Sequence, residues 1–174
     1  IHAEDRLYFN DNEPYVCRWL HNLFPGATID ERSIWDIRGA DVAGFNRAHL
    51  FAGIGGWEYA LRLAGWPQGR EGWTGSFPCQ PFSVAGKGKA WADDRHLWPA
   101  LLRLITERKP ATVFGEQVES KLGLEWLERV RLDLEDEGYA VGIVSLCAAG
   151  VGAPHIRQRL FWVADADGAR GWTH

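Results

Sequence analysis

The sequence has no methionine and only three cysteines, Cys17, Cys79 and Cys147, in 174 residues. These cysteines are far apart and include no C-x-x-C pair, which argues against a disulfide framework and against a bound metal. No segment approaches the roughly 18 consecutive apolar residues that span a bilayer, and no charged-then-apolar leader is present. We therefore expect a cytoplasmic protein without a membrane partner. The missing methionine, the start at Ile1 and the end in "GARGWTH" indicate a piece of a longer protein.

The composition lacks any strong bias. Hydrophobic residues make up 46% and charged residues 24%, and the formal net charge is −4. These values are ordinary for a soluble globular protein and carry no global signature of a nucleic-acid partner. With no internal repeat and no low-complexity tract, the length predicts one compact domain over residues 1–174.

The hydrophobic pattern alternates between the periods of strands and helices. The pattern predicts strands at 6–10, 27–30, 48–52, 73–77, 111–115, 139–149 and 159–165. Between them, helical spacing predicts helices near 14–24, 57–64, 97–109 and 122–138, with Pro99 near the start of the third and Gly138 closing the fourth. This order favours an α/β domain with a doubly wound, mostly parallel sheet. Its functional residues are expected at the carboxyl ends of the strands.

Four short motifs follow successive predicted strands. "FAGIGG" is a glycine turn between a strand and a helix, where backbone N–H groups can approach a nucleotide-like cofactor. "GSFPCQPFS" holds Cys79 between Pro78 and Pro81, which restrict the backbone on both sides. "FGEQV" places Glu116 after a buried strand, and "GAPHIRQRLF" places Arg157 and Arg159 on one side of an extended segment. Taken singly, each has a plain structural explanation: a tight turn, a buried thiol, a solvated acid and a surface pair.

Together, the four motifs resemble those of the cytosine-C5 DNA methyltransferases, across nearly the whole chain. "HLFAGIGGWEYAL" is similar to the cofactor motif of that family, and "GSFPCQPFS" to its nucleophile motif. "GEQV" stands where the family usually has Glu-Asn-Val, and "GAPHIRQR" where it usually has Gln-x-Arg-x-Arg, so Gln117 and His155 depart from the pattern. The resemblance implies a Rossmann-like domain that uses S-adenosylmethionine to methylate a cytosine flipped out of double-stranded DNA.

The resemblance also implies roles for particular residues. Cys79 would add to C6 of cytosine, Glu116 would bind and protonate N3, Arg159 would hold O2, and Arg157 would steady a loop or a phosphate. Residues 83–97 resemble the mobile catalytic loop of the family. The substrate contacts implied are the Phe77 carbonyl, Ser83, Lys87, Lys89 and Arg95.

The cofactor site implied by the resemblance is split along the chain. From the second half it takes Phe51, Ala52, Gly53, Ile54, Gly55, Gly56, Pro78 and Leu97. The strands that usually supply the ribose and adenine contacts are missing after the glycine turn, and residues 1–47 resemble them instead. We therefore expect a permuted order, with Asp11 on the ribose, Asn12 near the adenine, and Asp30 as the adenine-side acid, with Asp36 as its competitor.

Three alternatives to an autonomous enzyme stay open at this point. The family's target-recognition region would follow the last strand and has no counterpart in residues 1–174, so the chain could be a cofactor- or DNA-binding subunit of a split enzyme. An RNA cytosine methyltransferase uses the same scaffold. A plain structural domain would require Cys79, Glu116, Arg157 and Arg159 to converge by accident.

Overall fold

A computed structural model describes residues 5–77 and 91–168, and for residues 91–96 it describes the backbone alone. Seven strands form one sheet: β1 (Leu7–Asn10), β2 (Thr28–Asp30), β3 (Arg47–Leu50), β4 (Gly72–Ser76), β5 (Thr112–Val118), β6 (Ala140–Cys147) and β7 (Gln158–Asp165). The helices are α1 (Pro14–Leu23), α2 (Gly56–Leu63), α3 (Trp91–Arg108) and α4 (Lys121–Asp136), with 3-10 turns at Ile34–Asp36 and Ala148–Val151.

The strand order across the sheet is β2-β1-β3-β4-β5-β7-β6. The first five strands are parallel, and β7 runs antiparallel to both β5 and β6. The predicted doubly wound, mostly parallel α/β fold is therefore confirmed. Of the two N-terminal strands, β1 pairs directly with β3, the strand that leads into the glycine turn, and β2 lies outside β1 at the edge of the sheet.

Helices cover both faces of the sheet. On one face, Leu7 and Phe9 pack with Leu20 of α1. On the other, Trp73 and Trp162 join residues of α3 and α4 in a larger core. Side chains alternate between the two faces along a strand, so the central strands β1, β3 and β4 are buried on both sides, whereas the edge strand β6 is mostly exposed.

Local sequence signals explain where most helices begin and end. Pro14 begins α1, where its missing N–H costs nothing. The Ser120 hydroxyl accepts a hydrogen bond from the Gly123 N–H at 2.9 Å and caps α4. Gly138 follows α4 with φ of 90°, as its predicted closing role requires.

The start of α3 differs from the prediction. The helix begins at Trp91 rather than Leu97, so Pro99 lies inside it and residues 91–97 belong to a helix rather than to the predicted loop. The physical reason is that residues 91–98 contain no glycine or proline to interrupt a helix. Pro99 removes one internal hydrogen bond, which a helix of 18 residues packed against the core can tolerate.

Candidate active site

The glycine turn opens the site at the carboxyl end of β3. Phe51, Gly53 and Gly55 all have positive φ, of 54°, 53° and 74°. Gly55 is required twice over, because a Cβ there would lie 2.9 Å from Cζ of Phe24 in addition to straining the backbone. The first turn of α2 follows at once, so its N–H groups face the space above the sheet.

A cavity of about 550 Å³ lies against this turn. The turn contributes Phe51, Ala52, Gly53, Ile54 and Gly56, which the sequence had assigned to the cofactor. The opposite wall carries Glu116, Arg157 and Arg159, the predicted catalytic groups of the second half. The structure therefore brings the glycine turn, the glutamate and both arginines to one cavity. Gly55 supports the turn from behind rather than lining the cavity.

Glu116 and Arg159 form an ion pair inside this cavity. The Nε atom of Arg159 lies 2.7 Å from Oε1 of Glu116, and both side chains are more than four-fifths buried, at 17% and 18% exposure. Burial raises the pKa of Glu116, although the charges of Arg159 and Arg157 oppose that shift. A carboxyl group with a raised pKa can hold a proton for donation.

A smaller cavity of about 100 Å³ adjoins the turn on its other side. Its lining consists of Asn10, Asp11, Asn12, Arg32, Ser33, Ile34, Phe51 and Leu97. Phe51 lines both cavities, so the two are adjacent. Asp11, Asn12 and Leu97, three residues of the predicted cofactor site, thus meet around one space.

Asp11 connects the end of β1 to the glycine turn. Its Oδ2 accepts a hydrogen bond from the Gly53 N–H at 3.0 Å, and its Oδ1 accepts one from the Glu13 N–H at 3.0 Å. The thiol of Cys17 lies 3.0 Å from the Asp11 carbonyl oxygen and donates to it. Each carboxylate oxygen keeps a second lone pair, so Asp11 can still accept hydrogen bonds from a ligand.

Asp30 lies close to the smaller cavity but does not line it. Its carboxylate accepts hydrogen bonds from the Tyr8 hydroxyl at 2.6 Å and from the Arg32 guanidinium at 2.6 Å. Burial alone would raise the pKa of Asp30, but these hydrogen bonds lower it to about 2. Asp36 is exposed and does not line the cavity either. Ser33 and Ile34 occupy the lining position for which sequence reasoning proposed an acid.

Sequence reasoning also missed part of the larger cavity. Ser76, Trp57, Ala60, Leu146, Cys147, Ala148, Val151 and Phe161 complete its lining. Trp57 donates a hydrogen bond from Nε1 to the Ser76 Oγ at 2.6 Å, which ties α2 to the end of β4. The sequence did offer one indication that Trp57 lines this cavity, because Trp57 lies in the first helical turn after the glycines.

Phe77 is the last described residue before the Pro-Cys motif. Its ring is buried and contacts the rings of Phe51, Trp98 and Trp126, with centroids 4.9, 6.0 and 5.0 Å away. These contacts fix the position of Phe77, the residue that immediately precedes Pro78. Pro78, Cys79, Ser83, Lys87 and Lys89 lie outside the described residues, as does the Arg95 side chain. Their predicted roles stay predictions.

Within the described ranges, no group of three or more histidine, cysteine, aspartate or glutamate residues is arranged to hold a metal ion. In the same ranges, no helix is long and apolar enough to cross a membrane.

Solved structures share this fold. A putative DNA modification methyltransferase encoded within an Escherichia coli prophage matches 95% of this chain and 41% of its own, with a TM-score of 0.63 and 16% identity. The Dnmt2 methyltransferase of S. pombe matches 90% of this chain and 42% of its own, with a TM-score of 0.60 and 20% identity. At such identities the likeness shows the fold alone, a Rossmann-like α/β domain.

The sequence comparison defines the family. Residues 67–169 match the model of the C-5 cytosine-specific DNA methylases. The chain therefore belongs to that family, which confirms the resemblance seen in its motifs.

Two curated relatives show how much of a family member the chain represents. The type II methyltransferase M.AplI of Arthrospira platensis is 37% identical over 52% of this chain and 27% of its own length. M.HhaI of Haemophilus parahaemolyticus is 26% identical over 74% of this chain and 51% of its own length. The chain thus spans from about a quarter to about half of the length of these relatives.

Proposed function

We propose that this chain carries the catalytic core of a DNA (cytosine-5-)-methyltransferase of the type found in restriction–modification systems. The observation that supports it most is the shared cavity, which brings the glycine turn to Glu116 and Arg159 in a member of the C-5 cytosine-specific DNA methylase family. The 2.7 Å ion pair holds this glutamate and this arginine side by side in the cavity.

The residues present fit S-adenosylmethionine. The glycine turn offers backbone N–H groups beside an apolar wall, and Asp11 offers carboxylate acceptors for hydroxyl groups. We propose that Asp11 binds the ribose and that Asn12, Phe51 and Leu97 enclose the adenine. When bound, the cofactor supplies a methyl group carried on a sulfonium.

For the adenine edge we favour Ser33 and Ile34 over Asp30. The reason is that Asp30 already accepts hydrogen bonds from Tyr8 and Arg32, whereas Ser33 and Ile34 line the smaller cavity. The position of β1 beside β3 supports the permuted arrangement of this segment, because it places Asp11 next to the glycine turn.

The chemistry would proceed through the chain's own groups. The Cys79 thiolate forms a bond to C6 of cytosine, and the electron pair of the C5–C6 double bond becomes available at C5. Protonated Glu116 donates to N3 and draws charge from the ring, which favours the attack. Arg159 holds O2. After methylation of C5, water takes the C5 proton, the C5–H electron pair re-forms the C5–C6 double bond and the S–C6 pair returns to the thiolate, while N3 gives its proton back to Glu116.

The substrate we propose is a cytosine flipped out of double-stranded DNA, since the catalytic groups lie in a cavity that a stacked base cannot enter. In the proposed complex, the Phe77 carbonyl accepts from the exocyclic amine. Ser83, Lys87, Lys89, Arg95 and Arg157 are proposed to contact phosphates. Because the chain spans only part of its relatives, we propose that sequence choice is supplied by a further region or subunit.

A tritium assay tests the proposal. The chain is incubated with S-adenosylmethionine labelled in its methyl group and with double-stranded DNA, and label in the DNA is counted. We expect incorporation by the wild type and none by Cys79→Ser. Incorporation that is equal in the two proteins would overturn the proposed nucleophile, and label in RNA but not in DNA would overturn the substrate.

A further inference from the structure

A buried polar cluster lies beneath the glycine turn and outside both cavities. Its centre is His49 of β3, which is fully buried. The ring bridges two elements: Nδ1 lies 2.9 Å from Oγ1 of Thr74 on β4, and Nε2 lies 3.1 Å from Oε2 of Glu58 on α2. Since Glu58 is ionised, Nε2 carries the proton and donates it, which leaves Nδ1 to accept from the Thr74 hydroxyl.

Glu58 anchors the start of α2 to β3 through this cluster. Besides His49, its carboxylate accepts from Arg47 at 3.2 Å and from Arg62 at 2.6 Å. Burial alone would raise the pKa of Glu58, but the hydrogen bonds from His49 and Arg62 lower it to about 2. Because this buried carboxylate in the first turn of α2 is fully hydrogen-bonded, it fixes the position of the helix on the sheet.

A second path of contacts runs from His49 to the glycine turn. The imidazole stacks on Phe9, with ring centroids 4.8 Å apart and planes 25° apart. Phe9 in turn packs on Phe24, with centroids 4.6 Å apart. Phe24 then packs against Gly55, where its ring leaves no room for a Cβ and where the backbone has a positive φ. His49 is therefore linked to the helix that follows the turn through Glu58, and to Gly55 of the turn through Phe9 and Phe24.

We propose that His49 is a positioning residue that holds the glycine turn in its cofactor-binding form through Glu58 and through the Phe9–Phe24 stack. The inference rests on the proposed function, because it concerns the same cofactor site. Neither His49, Thr74 nor Glu58 lines either cavity, so any effect on the cofactor must pass through the turn.

The test removes the hydrogen bond between His49 and Thr74, since a substitution of the ring itself would also remove its contacts with Glu58 and Phe9 and so change several interactions at once. Thr74→Val keeps the shape and deletes the hydroxyl, whereas Thr74→Ser keeps the hydroxyl. Thr112→Val is the matched control, because Thr112 is equally buried on the neighbouring strand and its hydroxyl bonds Asp165 at 3.4 Å. Each protein is titrated with S-adenosylhomocysteine in a calorimeter, and its thermal midpoint is recorded.

We expect Thr74→Val to weaken S-adenosylhomocysteine binding about fivefold, the equivalent of one typical hydrogen bond, while Thr74→Ser binds like the wild type. Thr112→Val should lower the thermal midpoint without changing affinity. Wild-type binding with equal affinity in Thr74→Val would overturn the inference alone, as would equal weakening in Thr112→Val. No binding by the wild type would overturn the proposed cofactor site, and the inference with it.

Discussion

Gly115→Ala is the substitution whose cost the structure defines most directly. Gly115 lies in the middle of β5, opposite Gly75 of β4 and Trp162 of β7. A Cβ at this position would fall 2.5 Å from Nε1 of Trp162 and still closer to Cε2 and Cζ2. Trp162 is only 2% exposed and packs edge-on against Trp98, so its rigid ring has no open space into which it could move.

Overpacking of a tight core costs about 1–3 kcal/mol of folding stability, and the severity of this clash predicts a loss of about 3 kcal/mol for the variant. For a domain of this size, each kcal/mol lowers the thermal midpoint by roughly 2–4 °C, so we expect a fall of about 6–12 °C. Thermal unfolding followed by circular dichroism measures it. Gly142→Ala is the matched control, since its Cβ would meet only Val163 Cγ1 at an ordinary 3.5 Å. A midpoint within about 2 °C of wild type for Gly115→Ala, or one no lower than that of Gly142→Ala, would refute the reasoning.

Three further predictions follow from the site. Glu116→Gln should reduce methyl transfer by about 10²–10⁴-fold, because it removes the proton donor. It should leave the thermal midpoint equal or higher, because it removes the negative charge whose burial raises the Glu116 pKa; a lower midpoint would contradict this. Asp11→Ala should weaken S-adenosylhomocysteine binding by about 10–100-fold in calorimetry, since it removes an ionised acceptor; unchanged affinity would move the ribose contact elsewhere. Burial lowers the pKa of His49, so the unfolded chain binds more protons and stability should fall as pH drops below about 6.5. Denaturant titration of His49→Gln beside wild type should show a shallower loss, and equal slopes would contradict the assignment.

The fold could be predicted because its signals are local and repeated. Apolar runs such as "ATVFG" and helical spacing in "LGLEWLERV" each specify one element, and the alternation of elements favours a parallel sheet. The start of α3 could not be placed from these signals. Pro99 is a favourable first-turn residue, and only the packed structure shows a helix that continues through it.

The meeting of the glycine turn and Glu116 at one cavity could be predicted, because the backbone topology alone determines it. The glycine turn and Glu116 come at strand ends, and the edge of a parallel sheet brings such ends together. The adenine side could not be read in this way. Whether the Asp30 carboxylate is available to a ligand depends on Tyr8 of another strand and on Arg32, which both donate hydrogen bonds to it. His49 was missed for a similar reason, because its partners come from two other elements.

Covalent trapping tests the central claim, that this site performs cytosine-C5 chemistry through Cys79. Double-stranded DNA containing 5-fluorocytosine is mixed with the chain and S-adenosylmethionine and analysed on a denaturing gel, with Cys79→Ser alongside. Because fluorine at C5 cannot leave as a proton does, the S–C6 bond persists, and we expect a protein–DNA band that is absent in the variant. A chain that binds both S-adenosylhomocysteine and this DNA yet forms no adduct, or an adduct that survives Cys79→Ser, would contradict the account.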